Sequence, residues 1–253
     1  MSMFEEPFRW MEAISTRHSY VREKLQSGQP VIAVPYQDGA LILSFSPQPG
    51  KIFEVYDRIA MGGMGHPADV ERLRMTLLDM AHLEGFNRSS QDVNIARMLQ
   101  FGIAPSLKQN FEEIMRAPYL IKLLLLELDR NGHPNFFRLN YDGYWETLKN
   151  GGAIAGDEKV MAWIDKKIEE TPFATFPLEK ALVKACKLWQ EGKQQAVSDE
   201  DKNGDDPAAP ITLKEAFEKW TLEAGVLCAQ TKRKSIYRKI DAGEIEKLKT
   251  AVL

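Results

Sequence analysis

The sequence predicts an α+β fold, a four-layer α/β/β/α sandwich of two antiparallel sheets, and three observations carry that expectation. Residues 28–74 read as four short strands and a helix start, with few residues spent on loops. Later strand groups are separated by pairs of helices, giving the order ββββ–αα–βββ–αα–ββα behind an N-terminal helix. The acidic segment 194–210 is the one disorder-like stretch, and residues 211–253 are too few to form a second core. One domain is therefore expected over residues 8–253, preceded by a flexible tail at residues 1–7. Two sheets that both need their outer faces covered have one compact solution: helix, sheet, sheet, helix.

Each element has a local reason. From Phe8 to Gln26, Met11, Ile14, His18, Val21 and Leu25 recur at three- and four-residue steps, and Ser27-Gly28 ends the helix. Its apolar stripe suits either a sheet edge or a neighbouring subunit. Val31–Val34 is an apolar run rich in β-branched residues and Leu41–Leu43 is another apolar run, and Asp38-Gly39 between them favours a tight hairpin. Strands come next at Lys51–Val55 and Arg58–Gly62. Pro67 suits the first turn of the next helix, and Asp69 and Glu71 place negative charge where the helix dipole favours it. That helix is expected to reach about Glu84. A second begins at Ser89 or Ser90, good N-cap residues, and kinks at Pro105. The methionines Met75, Met80, Met98 and Met115 read as core filler.

Strands resume at Tyr119–Leu128, a nearly unbroken apolar run suited to cover on both faces, and at Phe136–Asn140. Gly151–Gly156 reads as a close strand-to-helix turn. It lacks the Lys-Ser/Thr pair of a phosphate loop and the glycine spacing of a dinucleotide site. Helices are expected at Asp157–Glu170, Leu178–Glu191 and Leu213–Trp220. Strands at Leu222–Ala229 and Ser235–Arg238 and a helix from Ala242 complete the sheets.

Composition excludes several classes of function. The chain has 253 residues, 44% apolar and 27% charged, with a net charge of -3 that offers no basic footprint for nucleic acid. Cys186 and Cys228 are too few for a disulfide framework. The start MSMFEEPFRW is not a signal peptide, and Leu120–Leu126 is far too short to cross a bilayer. A cytoplasmic protein with no membrane and no nucleic-acid partner is expected. His18, His66, His82 and His133 show no paired metal spacing, and no GxSxG elbow occurs, so neither a metal nor a cofactor is expected.

An ordered set of segments carries a family resemblance: VIAVPYQDGALIL, KIFEVYDRIAMGGMG, HPADVERLR, NFFRLNYDGYW, GGAIAG and LEAGVLCAQTKRKSIYRKIDAGEIEKL. Together they resemble a 20S proteasome subunit of the α type, bacterial kind, with the Ntn-hydrolase fold. The resemblance implies a non-catalytic subunit. In the related β subunits an N-terminal threonine attacks the peptide bond, with its own amine as base. The matching position here is Gln29, followed by Pro30, and the position of the supporting acid is Phe45. Lys51 matches the β subunits' active-site lysine but has no nucleophile to activate.

The resemblance also implies architecture. Such subunits form a homo-heptameric ring that caps the proteasome β subunits, templates their ring, docks a ring-shaped activator ATPase and passes unfolded protein substrates. The pore gate maps to Met1, Ser2, Met3, Phe4, Glu5, Glu6 and Pro7. Lys51 matches the lysine that pairs with the activator's C-terminal carboxylate, a role that an ammonium on a flexible stem suits. Read without the resemblance, Lys51 is a solvated strand-end lysine. The loop Ser44–Gly50 is about two residues shorter than in bacterial relatives, and the helix within residues 211–220 has no assigned role. Two alternatives stay open: a self-processed N-terminal-nucleophile hydrolase, and a stand-alone interaction protein on the same fold.

Overall fold

In a computed structural model, residues 6–47, 50–200, 211–232 and 235–252 are described. Two five-stranded antiparallel sheets form the centre. The first contains β1 (Val31–Tyr36), β2 (Gly39–Ser46), β8 (Gly152–Ile154), β9 (Thr221–Cys228) and β10 (Tyr237–Lys239), in the order β10-β9-β2-β1-β8. The second runs β3-β4-β5-β6-β7, from Ile52–Tyr56, Ile59–Gly65, Ile121–Leu128, Pro134–Asn140 and Trp145–Leu148.

Side-chain alternation explains the layering. Along β1 and β2, Val31, Ala33, Ala40 and Ile42 point into the core shared with the second sheet. Ile32, Val34, Leu41, Leu43 and Phe45 point the other way, onto α5 (Glu158–Glu169) and α6 (Leu178–Glu200). Because both faces are covered, every residue of β1 and β2 is buried and these strands read as continuous apolar runs. The second sheet is covered outside by α2 (Pro67–Asn87), α3 (Ile95–Met98) and α4 (Ala104–Glu112), with Leu73, Leu77, Leu99 and Leu107 inward. The result is the expected four-layer sandwich.

Gly62 and Gly63 set how closely these layers approach. A Cβ on Gly62 would lie 2.6 Å from Val31 Cγ1, in the opposite sheet, and one on Gly63 would lie 2.5 Å from Val70 Cγ1 on α2. Either contact would force the layers apart. The N-terminal helix α1 (Glu6–Leu25) closes one end of the sandwich, burying Val21 and Leu25 in the inter-sheet core and stacking His18 on Phe111.

Several expectations are corrected. The second helix starts later than Ser89: Ser89 accepts from Gln91 N in a local turn, and Asn94 is the cap, accepting from Arg97 N at 2.9 Å. The change in the helix at Pro105 comes one step earlier, as a π-helical turn over Leu99–Ile103. Gly152–Ile154 is a strand, paired antiparallel with β1, where a turn was expected. Residues 194–200, expected in the acidic loop, continue α6, while 201–210 lie outside the described residues. Glu6 and Pro7 open α1, so the expected tail is not loop throughout; Met1–Glu5 lie outside the described residues.

The helix expected in residues 211–220 forms as α7 (Leu213–Lys219), with a reciprocal capping box between Thr212 and Glu215. It presses Phe217 against Phe45. The chain closes with α8 (Ala242–Val252).

Candidate functional site

Lys51 stands at the mouth of β3, where the two sheets meet beneath the C-terminal end of α1. A cavity of about 310 Å³ opens there, lined by Lys24, Gln29, Gly50, Lys51, Met64 and Pro67 among others. Gly50 adopts a φ of +109°, a left-handed conformation that L side chains rarely take, and it turns the chain into β3. The Lys51 ammonium lies 3.5 Å from the carbonyl oxygen of Gln29, and among the described residues it forms no ion pair.

Burial makes that charge costly. Removal from water pushes the Lys51 ammonium down from 10.5 to about 8, and nearby Lys193 pushes in the same direction; Glu223 works against both. The group stays mostly protonated at neutral pH. A cation held in a partly dry cavity attracts an incoming anion more strongly than one in open water.

The nucleophile positions named from the sequence divide. Gln29 and Lys51 come together, so the lysine does face the place where the resemblance puts a nucleophile. Phe45 does not join them, because its ring is buried on the helical side of the sheet, 4.7 Å from that of Trp189. The histidines each have structural work: His18 hydrogen-bonds Tyr141 Oη at 3.0 Å, and His66 caps α2. His82 packs edge-on against Tyr56, and His133 lies beside Asp129.

Glu223 is the residue that sequence reasoning missed. It lies on β9 opposite Ser44, and its two oxygens take backbone N–H groups from Gly50, Lys51 and Ile52 at 2.8–3.3 Å. A signal was present. Glu223 shares a face of β9 with Gly225 and Leu227, the face turned toward the other sheet, and a carboxylate there must have partners.

A family model described as "Proteasome subunit" matches residues 26–195, from just before β1 into α6. The chain belongs to the proteasome subunit family. It is similar to proteins named proteasome subunit alpha in several bacteria. Identity is 31% to that of a Nocardioides species over 63% of this chain and 64% of that protein. It is 25% to that of Streptomyces coelicolor over 94% of this chain and 86% of the relative. For the Mycolicibacterium vanbaalenii protein the figures are 28%, 94% and 87%. The match spans just under two thirds of the Nocardioides relative and of the Acidimicrobium ferrooxidans one, at 64% and 66% of their lengths. Among the described residues, no helix is long and apolar enough to cross a membrane.

Proposed function

We propose that this α-type proteasome subunit is a non-catalytic, cytoplasmic ring component of a 20S core particle. Seven copies form the outer ring, cap and template the β ring, and gate the entry of unfolded protein with Met1–Pro7. A ring-shaped activator ATPase docks at Lys51. One observation carries the reading: at the position where the resemblance puts a nucleophile, Gln29-Pro30 offers the Lys51 ammonium a backbone carbonyl only, and the hydroxyls of the cavity lining belong to Ser27 and Ser46, which do not occupy that position. A buried cation with no hydroxyl or thiol at the nucleophile position suits binding an anion, not activating an attack.

The docking step derives from that geometry. A C-terminal carboxylate entering the cavity meets an ammonium already largely stripped of water, so less desolvation remains to be met on binding. Its arrival restores a full counter-charge and draws the lysine back toward its ordinary basicity.

Native mass spectrometry, alone and with a β chain, tests the assembly. A seven-fold species or a stacked particle, with peptidase activity only when β is present, is the expected result. Activity from the chain alone would favour a processed hydrolase, and a persistent monomer or dimer would favour a lone interaction protein. For the docking site, Lys51→Ala is expected to weaken activator binding at least about tenfold while leaving the ring intact. Unchanged binding would remove Lys51 from the interface.

A further inference from the structure

The Glu223 carboxylate occupies three consecutive N–H groups that a bound anion could otherwise take, and it comes from the opposite sheet. Gly50 N donates at 2.8 Å and Ile52 N at 3.3 Å, with Lys51 N between them reaching both oxygens at 3.3 and 3.1 Å. Three donors converging on one charge fix the backbone of the cavity lip, and hydrogen bonds to an ionised group are about twice as strong as neutral ones. The backbone so held is that of Lys51 itself. Two consequences meet in one residue: the lysine stem leaves the strand from a fixed point, and the carboxylate that fixes it also acts electrostatically on the ammonium without forming an ion pair with it.

We infer that Glu223 is the positioning residue of the Lys51 site, bracing the start of β3 and supplying the counter-charge that keeps the lysine ready for a carboxylate ligand. This rests on the docking reading above for its ligand, but not for its effect on Lys51. Two charged groups act on that ammonium, Lys193 of α6 opposing its charge and Glu223 of β9 supporting it, while Lys24 of α1 lines the same cavity. With Lys193 against Glu223, loss of Glu223 leaves the ammonium facing like charge alone.

The test combines two readouts on the full-length chain. Lysine labelled at Cε and Nζ reports the Lys51 titration by NMR in wild type and Glu223→Gln. The wild-type group is expected to titrate near 8. Removing the adjacent charge is expected to move that titration down by about one pH unit. An unchanged titration overturns the proposal.

The second readout is binding of a synthetic peptide carrying the last residues of the cognate ATPase, as free acid and as C-terminal amide. A one-unit drop takes the charged fraction at pH 8 from about one half to about a tenth, so E223Q is expected to weaken acid binding roughly fivefold there and little at pH 6. A loss equal at all pH values would reduce Glu223 to a scaffold residue and overturn the counter-charge role. If wild type fails to prefer the acid over the amide, the docking reading falls, and the titration still judges Glu223 by itself. If E223Q does not fold, Glu223→Asp keeps the charge and is expected to keep the titration near the wild-type value. Wild-type amide exchange at Gly50, Lys51 and Ile52 must then also be slow, and exchange at the rate of exposed amides would refute the brace.

Discussion

Arg138 and Lys51 are both cations on strands of the second sheet or its mouth, and they are treated in opposite ways. Arg138 on β6 is fully enclosed, with its side chain 6% exposed, and it meets two carboxylates, Glu146 at 3.1 Å and Asp165 at 2.5 Å. Asp165 in turn accepts from Ala153 N at 2.9 Å, so one arginine ties β6, β7, β8 and α5 together. Lys51 has a carboxylate nearby, but that carboxylate is engaged by backbone N–H groups and the ammonium is left to a carbonyl oxygen. A buried cation with its partners supplied is architecture. One whose nearby carboxylate is held by backbone N–H groups keeps its own hydrogen-bonding capacity open to a ligand, as the docking proposal requires.

The largest effect is expected from Arg138→Ala, which strands Asp165 without its cation while the more exposed Glu146 turns to water, and is expected to cost about 3 kcal/mol in a denaturant melt. A loss under about 1 kcal/mol would mean the network is not architectural.

Lys51→Met should act in the opposite direction. Because the folded state lowers the affinity of Lys51 for its proton, its stability penalty is fully present below about pH 8, where both states hold the proton. Between about 8 and 10.5 the folded chain releases the proton first, and the penalty is relieved. Wild-type stability should therefore gain relative to K51M as pH rises through that window, and K51M should be the more stable of the two at pH 7 by about 1 kcal/mol. Thermal melts at pH 7 and pH 10 measure both; a K51M chain less stable at pH 7 would show that the lysine is paired after all.

The smallest effect belongs to an exposed pair. Arg74 holds Glu71 at 2.7 Å on the surface of α2, and Glu71→Gln is expected to change stability by less than about 0.5 kcal/mol. A larger loss would show that exposure is a poor guide to which charges matter here.

How much of this was legible in the sequence depends on whether the signal was local. The β1–β2 hairpin was readable because Asp38-Gly39 and the flanking apolar runs lie within a dozen residues. The α2 start was readable because Pro67 and Asp69 mark it directly. Strand β8 was not, since Gly152-Ala153-Ile154 has little strand character and becomes a strand only by pairing with Val31–Ala33. The start of α3 was ambiguous because Ser89, Ser90, Asp92 and Asn94 can all cap, and only tertiary placement selects Asn94. Acidic composition misread residues 194–200, which extend a helix already anchored by Ala185 and Trp189. At the site, Lys51 was found through the family resemblance. Glu223 was hidden because its partners are more than 170 positions away in sequence, although its place on an inward strand face could have flagged it.

The sheet order has a consequence for how the protein is made. The outer backbone edge of strand β2 is covered by β9, which pairs with all eight of its residues, from Gly39–Cys228 to Ser46–Thr221. About 175 residues separate the end of β2 from the start of β9. At about 5–20 residues per second, a ribosome needs roughly 9–35 s to cover that distance. For that interval the β2 edge of the nascent apolar hairpin is bare, and the β1 edge is bare as well until β8 is made, a template for pairing with neighbouring chains. Crowded polysomes, more than the folded chain, are where this sequence must be protected.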